Sequence, residues 1–242
     1  MTQVRTHLIK NQWVLYNIEM KIAITGSEGL IGSSVIENID LNRFDLTRID
    51  LPDVDASDYD KLADASRGVE ALIHFAWKDL VANVRADRED PVNLEMVRNV
   101  YSVAAQNGIK RVIMGSSNQA HGYGIVDSDG TIRPTTLPDR PTNIYGHEKL
   151  EMEALGREYA TKYGLEVVCL RIGNVNASDA PRPTADGKPQ RWLSKRDLGQ
   201  LVVKSLDADK IPGNFEIVYG VSQGSVFSWE NSFGYTPEDS AT

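Results

Sequence analysis

The sequence predicts an α/β fold, a doubly wound parallel sheet with a small C-terminal lobe. Three observations predict it. Short apolar runs alternate with longer amphipathic segments along most of the 242 residues, the pattern of a parallel sheet covered by helices. Two of the runs, Ala71-Leu-Ile-His-Phe75 and Val167-Val-Cys-Leu170, are nearly continuous in apolar character, as strands buried on both faces require. A glycine-rich segment, Thr25 to Gly32, stands between the first apolar run and the next amphipathic one.

Taken in order, the strands are expected at Met20–Thr25, Phe44–Ile49, Ala71–Phe75, Arg111–Gly115, Glu166–Ile172 and Phe215–Tyr219. Helices are expected from Leu30, from Tyr59, over Pro91–Gln106, over Ile144–Lys162 and over Lys195–Leu206. Residues 1–19 read as a leader outside the fold, with Met20 as the start of the domain. Polar Asn11, Gln12 and Asn17 interrupt its apolar stretches, so it has no signal-peptide core. Residues 20–173 form the main unit and residues 174–242 a lobe. In that lobe, Pro181, Pro183, Gly187 and Pro189 mark a loop over residues 174–190. Loops that follow the carboxyl ends of strands are where ligands bind in open α/β sheets, so this lobe is the expected substrate side.

Composition narrows the function. The net charge is -8 and the sequence pI about 5.1, which disfavours nucleic acid as a partner. No apolar run approaches the ~18 residues of a membrane span. The single cysteine, Cys169, lies in an apolar run and reads as a buried structural thiol. Four histidines without ligand spacing give no metal site. The expectation is a soluble, cytoplasmic protein.

Thr25-Gly-Ser-Glu-Gly-Leu-Ile-Gly32 has the spacing G-x-x-G-x-x-G between a strand and a helix. Glycine is needed where the chain turns tightly and where backbone approaches a pyrophosphate, and the helix N-terminus then offers free N–H groups. The segment therefore predicts a Rossmann-type dinucleotide site. An acid ~20 residues on should bond the ribose 2′-hydroxyl. Asp50 ends the second strand and fits, which favours NAD; Arg48, two residues earlier, leaves NADP open.

Tyr145-Gly-His-Glu-Lys149 places a phenol and an ammonium on one helix face. An ammonium beside a phenol favours phenolate and moves the tyrosine from ~10 toward working pH. Such a tyrosine takes the proton of a substrate hydroxyl while hydride leaves the same carbon. Ser117, at the end of the strand from Arg111, supplies a hydroxyl to hold the substrate oxygen.

These residues resemble the extended short-chain dehydrogenase/reductase superfamily, the NAD-dependent epimerase/dehydratase group. The resemblance runs from Met20 onward. Ser117, Tyr145 and Lys149 fall on its catalytic triad, Asp55-Ala56-Ser57-Asp58 on its adenine-side loop, and His74-Phe75-Ala76 on the strand end beside the nicotinamide ribose. Ser116-Ser117-Asn118, Arg171-Ile172-Gly173-Asn174 and Trp192-Leu193-Ser194 are similar to the uronate dehydrogenase branch, which includes archaeal NAD-dependent glucose-6-phosphate dehydrogenases. That likeness implies oxidation of the anomeric hydroxyl of an aldose, sugar phosphate or uronic acid to a lactone, and a homodimer through the tyrosine-bearing helix.

Together these readings place NAD against Gly26, Gly29, Leu30, Ile31, Gly32, Asp50, Asp55, Ala56, Phe75, Ala76, Tyr145, Lys149 and Ile172. A small sugar would meet Lys78, Ser117, Asn118, Asn174 and Arg191, with Arg182 a second candidate arginine. Where the branch often carries histidine, this chain has Gln119. A nucleotide-sugar epimerase or reductase is the alternative, ranked second because only about seventy residues follow Gly173. A non-catalytic NAD-binding regulator is the third reading.

Overall fold

A computed structural model describes the chain except residues 1, 2, 10, 11, 123–137, 183–190, 226 and 242, and describes residues 3–9 and 12–18 by backbone alone. Pro183, Gly187 and Pro189 of the expected loop lie outside the described residues.

Strands β1 (Gln3–Ile9) and β2 (Gln12–Ile18) pair antiparallel, with Ile9 opposite Gln12, and form a sheet of their own. The sequence pattern predicts no structure for this leader. The hairpin does not pair with the main sheet.

The main sheet holds β3 (Met20–Thr25), β4 (Phe44–Ile49), β5 (Ala71–His74), β6 (Arg111–Ser117), β7 (Glu166–Ile172) and β8 (Phe215–Gly220). All pair parallel, in the order β4-β3-β5-β6-β7-β8. The helices are α1 (Leu30–Glu37), α2 (Tyr59–Ala65), α3 (Leu80–Ala86), α4 (Pro91–Asn107), α5 (Ile144–Tyr163) and α6 (Lys195–Asp207). Five of the six match the expected segments. The exception, α3, has no counterpart among them. It is seven residues long, its N-terminus lacks a side-chain cap, and Asp79 (φ 50°) and Asp87 (φ 44°) bound it in the left-handed region.

Period-two alternation along the strands divides the core into two layers. Ile22 and Ile24 of β3 point to one face, where they meet Val35 of α1 with Leu198, Leu201 and Val202 of α6. Ala23 points to the other, packed with Leu72, Val100, Tyr101 and Met152 under α2, α4 and α5. Local signals set the helix starts. Asp58 accepts from Lys61 N, Asp90 from Val92 N beside Pro91, Asn143 from Gly146 N, and Ser194 from Asp197 N. The chain after β8 returns to the start of α6. Buried Asp197 there accepts from the Ser222 hydroxyl at 2.5 Å and from Glu238 N at 2.8 Å. Strand order reverses between β3 and β5, and the glycine turn leaves β3 at this switch point.

Candidate active site

At the switch point the backbones of two strand ends come so close that side chains are excluded. Gly26 has φ +69°, and a Cβ there would lie 2.5 Å from Ala76 N. A Cβ on Gly32 would lie 2.1 Å from the Gly26 carbonyl oxygen. Gly29 is different: its Cβ would meet only Gly26 O, at 3.4 Å. Two glycines therefore fold the turn, and the third keeps its outer side open. Gly29 heads α1 without a side-chain cap, leaving first-turn N–H groups for an anion.

Two cavities meet over this turn. The smaller, about 310 Å³, is lined by Asp50, Asp55, Ala56, Ala76 and Lys78 among others. The larger, about 880 Å³, is lined by Leu30, Ile31, Gly32, Ser117, Asn118, Tyr145, Lys149, Ile172, Asn174 and Arg191. Gly26, Gly29, Phe75 and Trp77 line both, so the two form one trough across the carboxyl ends of the strands. Every residue expected to touch cofactor or substrate borders this trough. Lys78 borders the smaller cavity, on the side of Asp50, and not the larger one that holds Ser117. Arg182 joins Arg191 in the larger.

The expected acid is engaged locally. Asp50 accepts from Glu28 N at 2.8 Å and from Leu51 N at 2.9 Å. Arg48 pairs with Glu28 at 3.1 Å, so its charge is already met by a carboxylate.

The serine, tyrosine and lysine converge. Ser117 and the Tyr145 phenol are close enough for the serine to lower the phenol's pKa, and the serine oxygen accepts from Gln119 N at 3.2 Å. Lys149 Nζ donates to the Gly115 carbonyl at 2.7 Å and sits 5.5 Å from the Tyr145 ring centre. Burial pushes Tyr145 up to about 12; Ser117 opposes it and Glu148 adds to it. Burial also pushes Lys149 down to about 7, against the pull of Glu148, Glu153 and Cys169. From the sequence, Lys149 is expected to bring the phenol toward working pH. In this structure burial decides the direction for both groups, raising the phenol and lowering the ammonium.

Beneath the site lies a buried ionic cluster. Arg171 donates to Glu153 at 2.9 and 2.7 Å, to Asp139 at 2.7 and 2.8 Å, and to the Tyr219 hydroxyl at 2.9 Å. Glu153 also accepts from the Ser116 hydroxyl at 2.5 Å, which ties the cluster to the residue before Ser117. Asp139 contacts His121 Nδ1 at 3.0 Å. Burial raises the Asp139 carboxyl, but hydrogen bonds from His121 and Arg171 hold it well below the usual range. His74, whose Nδ1 meets the Thr25 hydroxyl at 2.7 Å, is driven down to about 3 by burial and by Lys149, and stays neutral.

Sequence reasoning missed the wall that α3 supplies. Leu80, Val81, Val84 and Arg85 line the larger cavity together with Asn174 and Arg191. Asp87, just past α3, accepts from Ile144 N at 2.8 Å and fastens this wall to the first residue of α5. Among the described residues, the larger cavity carries Arg85, Lys149, Arg182 and Arg191 and no carboxylate. No helix among the described residues is long and apolar enough to cross a membrane.

Comparison with known proteins agrees with this architecture. The sequence profile of the NAD dependent epimerase/dehydratase family matches residues 22–209. A uronate dehydrogenase of Pseudomonas putida is 36% identical over 180 residues, covering 72% of this chain and 62% of that enzyme. An NAD-dependent glucose-6-phosphate dehydrogenase of Haloferax volcanii is 31% identical over 201 residues, covering 74% of this chain and 71% of its own. Thus the chain matches less than two thirds of the uronate dehydrogenase's length. The crystal structure of a single-residue mutant of the Agrobacterium tumefaciens uronate dehydrogenase, complexed with NAD, has the same fold. Its TM-score is 0.72 at 22% identity, covering 92% of this chain and 86% of that one.

Proposed function

Because the chain belongs to the NAD dependent epimerase/dehydratase family, we propose that it is an NAD-dependent sugar dehydrogenase that oxidises an anomeric hydroxyl to a lactone. The observation that carries this reading is the convergence of Ser117, Tyr145 and Lys149 on the cavity that opens from the glycine turn.

The residues fit the cofactor. Gly29 leaves the cradle open, α1 offers free N–H groups, and Asp50 stands where a ribose hydroxyl would be bonded. The Asp50 carboxylate at the end of β4 would repel a 2′-phosphate, which supports NAD over NADP. NAD, when bound, supplies the hydride acceptor. The rest belongs to the chain. Ser117 holds the substrate hydroxyl. Tyr145 accepts its proton, drawn toward phenolate by Ser117 against the pull of burial, with the Lys149 ammonium 5.5 Å from its ring centre to favour the anion. Asn118 and Asn174 line the same cavity and orient the sugar. The cationic lining of Arg85, Arg182 and Arg191 favours the acidic and phosphorylated members of the substrate class over neutral aldoses.

The test is NADH formation with a panel of hexoses, hexose phosphates and hexuronates, each with NAD and NADP. Turnover is expected with an anionic sugar and NAD. Tyr145→Phe is expected to abolish turnover with NAD affinity nearly unchanged. Absence of turnover across the panel, or full activity in Tyr145→Phe, rejects the reading.

A further inference from the structure

Trp77 belongs to no part of the reaction described above, yet it occupies the middle of the site. Its ring lines both cavities of the trough. Lys149 Nζ lies 3.3 Å from the centre of that ring. The same ring meets Tyr145 edge-on, with centroids 5.8 Å apart and planes at 82°. One indole thus faces the ammonium and packs against the phenol.

A buried ammonium has three donors to satisfy. Among the described residues, Nζ donates to one acceptor, the Gly115 carbonyl, and makes no ion pair with a carboxylate. The titratable groups that act on it come from three elements: Tyr145, Glu148 and Glu153 of α5, Cys169 of β7, and His74 of β5. Of these, Cys169 and His74 are neutral, since burial raises the thiol and lowers the imidazole. Glu153 is spent on Arg171 and Ser116. The negative face of the indole is the electron-rich surface that meets the ammonium directly.

We propose that Trp77 is a positioning residue whose indole face keeps the Lys149 side chain charged and seated on Gly115 between the two halves of the trough. Its bearing on catalysis rests on the dehydrogenase reading, because a charged Lys149 is what draws Tyr145 toward phenolate. The pairing of indole and ammonium itself is a property of the protein without cofactor or substrate. A tryptophan that served only as an apolar cover would exclude water equally well, but would be indifferent to the electron density of its ring.

That difference defines the experiment. Tryptophan carrying one, two or three fluorines on its benzo ring is placed at position 77 alone, which preserves shape while draining the negative face. Lys149 is then titrated by NMR in cofactor-free protein labelled with ¹³Cε-lysine, its signal assigned by its loss in Lys149→Met. The midpoint is expected well below the ordinary lysine value in the parent. It is expected to fall with each added fluorine, by about one pH unit over the series. A midpoint that stays fixed across the series overturns the proposal. In the active enzyme, the pH at which NADH formation sets in is expected to rise in step with fluorination. A fluorine-dependent midpoint in a protein that oxidises no sugar would leave the indole–ammonium pairing standing and reject the dehydrogenase reading instead.

Discussion

Replacing Arg171 by methionine tests whether the buried cluster beneath the serines is held together as described. Arg171 and Glu153 are 4% and 5% exposed at their side chains, whereas Asp139 is 33% exposed. The Asp139 contacts are therefore screened and contribute little. The loss is governed by Glu153, a carboxylate left in the interior without its partner. Removing one member of a buried pair costs about 3–5 kcal/mol, because the remaining charge has lost its compensation. For a chain of this length each kcal/mol corresponds to roughly 2–4 °C, so the melting temperature should fall by about 6–20 °C. The companion variant Arg171→Met/Glu153→Leu removes the orphaned charge. Beyond what the single variant already loses at Tyr219 and Asp139, it leaves only the Ser116 hydroxyl without its acceptor, at about 1–3 kcal/mol. Urea unfolding and calorimetry of the parent, the single and the double variant give the three free energies. A single variant within about 1 kcal/mol of the parent, or a double variant no more stable than the single, would show that the cluster does not carry a buried charge in the way argued here.

Other expectations concern the trough. Gly32→Ala should fail to bind NAD and melt well below the parent, since its Cβ would stand 2.1 Å from Gly26 O. Gly29→Ala should melt near the parent and weaken NAD binding, because its Cβ has 3.4 Å of clearance from protein and intrudes only on the cradle; calorimetric titration with NAD separates the two cases. Asp50→Ala should lower NAD affinity more than NADP affinity, measured by the same titration. Lys149→Met should raise stability, and more so at about pH 6 than at about pH 10. The folded lysine titrates near 7 and the unfolded one near 10.5, so the penalty for burying charge is fully present below 7 and vanishes as pH rises through that window. Thermal melts showing a larger gain at the alkaline end would reverse the sign and refute the burial argument.

Most of the sheet was legible because each buried parallel strand leaves an apolar run with sharp ends. All six main strands lie where those runs lie, within a residue or two at their ends. Helix starts were legible wherever a capping side chain stood before an amphipathic run, as at Asp90-Pro91 and Ser194. The seven-residue α3 carries no such signal, and its flanking aspartates in the left-handed region look like loop residues in sequence. In the β1–β2 hairpin, Val4 and Leu8 alternate with Arg5 and His7 along β1, but the run of β2 from Trp13 to Tyr16 is continuous and then broken by Asn17, so the pair lacks a shared period. At the site, spacing alone brought together Tyr145, Lys149 and the glycine turn. The energetics were not legible. Burial is a property of the packed molecule, so the sign of the Lys149 attraction was readable and the larger opposing desolvation was not. Trp77 and Arg85 reach the trough from a segment whose path depends on contacts such as Asn93 Oδ1 with Lys78 N, at 2.7 Å, and no local pattern encodes that path.

The wall formed by α3 has a consequence for how this scaffold can change. Ser117, Tyr145 and Lys149 come from β6 and α5, while Leu80, Val81, Val84 and Arg85 come from the short helix α3. That wall can thus change while Ser117, Tyr145 and Lys149 stay where they are. The tether from Asp87 to Ile144 N limits that freedom, because a rebuilt α3 must still deliver an acceptor to the first turn beneath Tyr145. Reshaping the trough is therefore a problem of exchanging residues 80–86 while keeping the acceptor at Asp87.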